Sequence, residues 1–211
     1  MIQDKIIVSI GGGQVTGVRE TALQIQENLH QLFPYIKVSV IDLDEMANIE
    51  SKKYTDKDYD FNAVYDTLIT KPKHESLEIV LLCGSYALYD ANINNLSKLK
   101  VFLDSEGDKR LINMIRSKNV NTPERLDSCI TEYLDHLRPE MNKYIEPTRA
   151  HADVIIPSSN ESIGSAIIVD GVVKIIEDKK GGIDHKRKLF PQLDFQLERL
   201  NVEKDRYYDL S

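Results

Sequence analysis

The chain has no tryptophan, only two cysteines, and no apolar run approaching the length of a bilayer span. Each shortage excludes something. A membrane-crossing helix needs about 20 consecutive apolar residues, so no membrane association of that kind is expected. Cys83 and Cys129 lack the paired spacing of a metal site or a disulfide framework and read as buried thiols. Positive charge is also scarce, with 27 Lys and Arg against 34 Asp and Glu and a net charge of -7. A sequence-independent nucleic-acid binder needs the opposite balance to displace counterions from phosphates, so no nucleic-acid partner is expected. The cluster His185-Lys186-Arg187-Lys188 is too short to change this and reads as a solvated turn. The N-terminus leads straight into a strand-like segment without a charged-then-apolar leader, so an intracellular location, cytoplasm or nucleus, is expected.

What is present suffices for a core: 211 residues, 41% of them hydrophobic, expected to form a single domain over 1–211. Residues 5–9 are rich in Ile and Val with little alternation, as a strand covered on both faces requires. Residues 20–32 place Ala22, Ile25, Leu29 and Leu32 at helical spacing. Further strands are expected over 38–41, 78–82, 100–103 and 152–156, and helices over 61–69, 108–115 and 124–144. The polar stretch 47–60 reads as a surface loop. Residues 165–176, "SAIIVDGVVKII", hold an Asp-Gly pair between two apolar runs and read as a β-hairpin. The charged tail that begins at 179–182, "KKGG", has no clear period. Strands alternating with helices predict an α/β fold with a doubly wound parallel sheet and helices on both faces, its ligands beyond the carboxyl ends of the strands.

The first strand runs into "GGGQVTGVRE", residues 11–20. A phosphate-binding loop has the pattern G-x-x-x-x-G-K-[ST], in which backbone N–H groups converge on phosphates, the lysine reaches the β and γ groups, and the hydroxyl ligates magnesium. Gly12 and Gly17 have the required spacing, and Gly13 lies within it. Val18 stands where the lysine belongs and Arg19 where the hydroxyl belongs. Valine cannot donate to a phosphate. Arg19 is a candidate substitute clamp, set beside the plain alternative of a strand-to-helix turn kept for packing.

Three further segments carry a family resemblance. "YDFNAVYD" at 59–66 resembles the F-D-H-P-D-A-F-D signature of the uridine-cytidine kinases, with Asp60, Tyr65 and Asp66 at matching positions. "IVLLCGSYALY" at 79–89 resembles their V-V-L-F-E-G-I-L-A-F-Y strand and loop. "YLDHLRPEMNKYIEPTRAHADVIIP" at 133–157 is similar, without a gap, to their Y-x-x-x-x-K-P-x-x-x-x-x-x-x-P-T-K-x-x-A-D-V-I-I-P. The resemblance covers residues 5–157 and implies a P-loop NTPase-like fold that phosphorylates uridine or cytidine with ATP and Mg2+. It places the catalytic base on Asp44, for which an acidic loop cap is the alternative. It also marks departures. The glutamate of F-E-G is Cys83, and the lid arginines become Asn113, Met114, Ser117, Thr122 and Glu124. Arg110 remains at a helix start, and Arg116 and Arg125 stand one position out of register. The nucleoside-reading hairpin shrinks to "ITKPKHES", in which His74 reads as a turn residue. Such a chain binds a nucleotide, if at all, on residues 11–17. Three functions stay open: a pseudokinase acting through a protein partner or homo-oligomer in pyrimidine salvage, a kinase that uses relocated arginines, and a metabolite sensor.

Overall fold

The structure, a computed structural model, describes residues 5–48, 52–70, 77–157 and 161–179. His74, the tail from residue 180 and the basic cluster at 185–188 lie outside the described residues. The chain divides into a unit from Met1 to Ile175 and another from Ile176 to Ser211, of which residues 176–179 are described.

Five parallel strands form one sheet: β1 (Lys5–Gly12), β2 (Lys37–Asp42), β3 (Glu78–Cys83), β4 (Leu99–Asp104) and β5 (Val154–Pro157), in the order β2-β3-β1-β4-β5. β1 and β3 are buried along their whole length, which is why their sequences run apolar instead of alternating. β1 lies in the middle; the chain leaves it toward β2 at one edge and leaves neighbouring β3 toward β4 on the other side, so the crevice for a ligand opens beyond the carboxyl ends of β1 and β3. There Ile10 pairs with Cys83, and Gly12 with Leu103.

Helices cover the sheet. α1 (Val18–Leu32) buries Val18, Thr21, Ala22, Ile25 and Leu29, the i, i+3/i+4 stripe that the sequence period predicts. α2 (Phe61–Ile69) buries Val64 and Leu68 in a cluster with Ile7, Tyr86 and Phe102, each large apolar side chain contributing about 1.5–3 kcal/mol. α3 (Ala91–Leu96) precedes β4; α4 (Gly107–Ser117) and α5 (Pro123–Glu132) follow it. The expected helix over 124–144 is α5 continued through two π-helical turns, Tyr133–Leu137 and Met141–Ile145, which flank α6 (Arg138–Glu140). Wide turns of this kind re-aim side chains and recur at functional sites.

The hairpin expected over 165–176 is not formed. That stretch belongs to α7 (Glu161–Lys179). Gly164, Ser165, Ile168, Val169 and Val172 are buried at helical spacing, and this packing overrides the turn preference of Asp170-Gly171. The helix needs its glycines: a Cβ on Gly164 would stand 2.5 Å from Ile156 Cγ2, and one on Gly171 3.3 Å from Leu99 Cδ2. Exposed Ile163 and Ile167 blur the apolar stripe, so the helical period was hidden in the sequence.

Candidate functional site

The residues between β1 and α1 make a loop whose chemistry lies in its backbone. Gly12 has no room for a side chain, since a Cβ would stand 2.8 Å from the Leu103 carbonyl oxygen. Gly17 takes the left-handed conformation at φ 81° and caps α1 without a side-chain hydrogen bond. Val15 is left-handed as well, at φ 59°, which costs a β-branched residue about 1–3 kcal/mol. Two contacts hold the loop: Thr16 Oγ1 donates to the Gly13 carbonyl at 2.7 Å, and Asn113 Nδ2 donates to the Val15 carbonyl at 3.2 Å. None of the N–H groups of residues 13–17 donates to an acceptor among the described residues, whereas Thr21 N–H closes the first helical turn on Gly17 O at 2.9 Å. Successive free amides at a helix N-terminus form an anion cradle.

The side chains around that cradle serve other ends. Val18 is buried. Arg19 forms ion pairs with Glu45 and, at 3.3 Å, with Asp42, and the contact with Glu45 raises its already high pKa. The backbone thus fits a phosphate. Val18 and the paired Arg19 do not fit the lysine and metal-bound hydroxyl of an ATP–Mg2+ site, and among the described residues no three His, Cys, Asp or Glu side chains converge as a metal set.

Asp44 opens a short 3-10 turn (Asp44–Met46) just after β2. Its carboxylate accepts from Ser85 N at 3.0 Å, Ser85 Oγ at 3.1 Å and the Tyr59 hydroxyl at 3.1 Å. Gly84, at φ 140°, makes this possible by bringing its backbone against Leu43 and Asp44, where a Cβ would stand 2.9 Å from Leu43 Cβ. Burial raises the pKa of Asp44 above the usual carboxylate value, the donors from Ser85 and Tyr59 pull it back, and neighbouring Asp42 adds to the rise. Cys83, beside it, is pushed up to about 12 by burial and by Asp42 and Asp44, which keeps it a neutral thiol. Asp60 is spent as the N-cap of α2, accepting from Ala63 N at 3.0 Å.

Two groups beside the candidate site carry no signal in the sequence. Tyr59 was quoted only as part of a motif, yet its hydroxyl reaches the candidate base, and its ring belongs to an aromatic cluster with Phe61, Tyr86, Tyr89 and Tyr144. Glu140 sits between the π turns at 3% exposure and accepts from Gln14 Nε2 of the loop at 2.7 Å and from the Tyr86 hydroxyl at 3.0 Å. Burial raises its pKa, against the lowering effect of the Tyr86 hydrogen bond. An isolated Glu 126 residues from its partner carries no sequence signal.

The residues expected at the lid positions have structural contacts. Met114 packs with Cys129, Tyr133 and Leu137; Ser117 Oγ donates to Met114 O at 3.1 Å; Thr122 caps α5 through Arg125 N–H at 3.3 Å. Arg116 and Arg125 are exposed, and Arg125 lines a 350 Å³ cavity with Lys118, Cys129 and Glu132.

Residues 18–163 match the model of the phosphoribulokinase/uridine kinase family. The chain belongs to that family. It is 48% identical to the Saccharomyces cerevisiae protein named "Putative uridine kinase DAS2", over 99% of this chain and 97% of that one. It is 26% identical to a uridine kinase of Lactococcus lactis, over 82% of this chain and 98% of the relative. Among solved structures, one described as a "putative fructose transport system kinase" from Silicibacter sp. TM1040 superposes with a TM-score of 0.55 at 12% identity, over 73% of this chain and 90% of that one, a likeness of fold. The parallel sheet, the strand order and the turn into α1 are those of an α/β P-loop fold.

Proposed function

We propose that this uridine-kinase family member is a pseudokinase: it holds a nucleotide or phosphate weakly on the free amides of residues 13–17, transfers little or no phosphoryl group, and acts in pyrimidine salvage through a protein partner or a second copy. The observation that carries this reading is Arg19, the only charge at the lysine–hydroxyl pair of the loop, tied to Asp42 and Glu45 while Val18 is buried. Phosphoryl transfer rests on positioning and charge stabilisation, and a lid arginine alone is worth about 10³–10⁵ in rate. Here those lid positions fill a core, cap a helix or brace the loop.

A second reading, a working kinase of altered specificity, is favoured by Asp44. Its raised pKa and its place beyond β2 suit a base for a hydroxyl proton. The decisive experiment is direct detection of UMP and CMP from uridine and cytidine with ATP and Mg2+, beside Asp44→Asn. Equal signal in both samples is expected. Product that vanishes in the variant overturns the pseudokinase reading and establishes Asp44 as a base.

A further inference from the structure

Behind the phosphate loop lies a charge without a counter-ion. Arg110, in the first turn of α4, is 8% exposed. Its stem covers Gly13, where a Cβ would stand 2.8 Å from Arg110 Cδ, and its guanidinium gives one N–H to Ser105 O at 2.6 Å. No carboxylate among the described residues lies within ion-pair distance of it, and no other hydrogen bond uses its remaining N–H groups. A buried, uncompensated guanidinium is costly, so a molecule that keeps one has a use for it.

Arg110 lines a cavity of 340 Å³ between the start of α4 and the segment Tyr133–Asn142, together with Arg138, Asn142 and Tyr133. Two further observations bear on that cavity. The N-terminus of α4, an 11-residue helix, has no side-chain cap, and the Gly107 and Asp108 N–H groups, on residues that line the cavity, have no acceptor among the described residues. Arg138, a second guanidinium on the wall, is exposed and forms no ion pair among the described residues. Glu106 and Asp108 also line the cavity, but both are exposed, so solvent and salt screen their charge far more than that of buried Arg110.

We infer that this cavity is an anion site, adjoining the phosphate loop but lined by none of its residues, that takes a phosphate group on Arg110, Arg138 and the Gly107 and Asp108 amides. Arg110 supplies the unscreened charge. Arg138 closes from the solvent side. Leu111, Leu134 and the Tyr133 ring form an apolar wall beside the anion, so the phosphate can come free or attached to a nucleoside. The site meets the loop where Arg110 Cδ and Nε lie against Gly13, and it uses neither Mg2+ nor a working transfer reaction.

The test is a titration of the full chain with inorganic phosphate at constant ionic strength without Mg2+, followed by backbone amide NMR, with uridine 5'-monophosphate and uridine as parallel arms. Saturable shifts are expected at Gly107, Asp108 and the Arg110 side-chain N–H, with Arg138→Gln binding phosphate about tenfold more weakly and Arg110→Gln losing saturation. Because Arg110→Gln removes a buried contact and can fail to fold, the exposed Arg138 variant decides on its own. Uridine 5'-monophosphate binding more tightly than phosphate, with uridine silent at these amides, supports the site and makes the nucleotide the phosphate source. Equal affinity supports it with the free anion as ligand. No saturable shift at α4, or shifts confined to residues 13–17 and unchanged by Arg138→Gln, overturns the inference. None of these outcomes depends on UMP or CMP formation, so the inference and the pseudokinase reading fail separately.

Discussion

The loop between β1 and α1 and the α4–α5 region differ in what their residues do. In the loop the backbone carries the geometry: a close-packed Gly12, a left-handed Gly17 and, between them, amides without an acceptor among the described residues. In the α4–α5 region the side chains carry it, with Met114 in a core, Thr122 at a helix cap and Asn113 as a brace for Val15. A site built of peptide groups depends on conformation and tolerates changes of side chain. A site built of guanidinium groups is lost one substitution at a time.

The largest effect is expected where an arginine replaces Met114. Met114→Arg buries a charge among Cys129, Tyr133 and Leu137 and should cost about 3 kcal/mol or more, lowering Tm by roughly 10 °C. An unchanged melting curve would mean that this region is no packed core. Gly12→Ala attacks the other side of the comparison: its methyl meets the Leu103 carbonyl and Thr16 Oγ1, and about 2 kcal/mol of stability should be lost in denaturant titration. Thr122→Ala removes the α5 cap at a cost of about 1 kcal/mol, while Thr122→Asn should be near neutral. Val15→Gly relieves the left-handed strain and should stabilise by about 0.5–1 kcal/mol. A destabilised Val15→Gly would show that the Val15 side chain contributes more than its conformation costs.

Legibility in the sequence followed the same division. The strands and α1 were readable because burial on both faces or on one helical stripe dictates residue type directly. The glycine spacing of the loop was readable because only glycine fits at Gly12 and suits the left-handed Gly17. α7 was misread because its glycines, which let it approach Ile156 and Leu99, look like turn residues. The Gln14–Glu140–Tyr86 link and the Tyr59–Asp44 bond were unreadable because they join residues far apart in the chain that only the fold brings together. The pairing of Arg19 was likewise invisible, since Asp42 and Glu45 reach it from another strand end.

The smallest effect is on pH dependence. The folded protein holds the protons of Asp44 and Glu140 more tightly than the unfolded chain does, so their contribution to stability is fully present below the unfolded carboxylate range and falls as pH rises through their raised folded values. Asp44→Asn should therefore flatten the decline in stability above the usual carboxylate pKa, read by urea denaturation across pH 4 to 7. A decline equally steep in the variant would place it on Glu140 or elsewhere.

The most direct measurement of the whole reading is the affinity of the full chain for ATP by calorimetry, with and without Mg2+. Free amides without a lysine or a metal ligand should bind ATP weakly and equally in both conditions. Affinity that tightens severalfold with Mg2+ would contradict the account, because it would require a metal-organising side chain that Val18, the paired Arg19 and Cys83 do not supply.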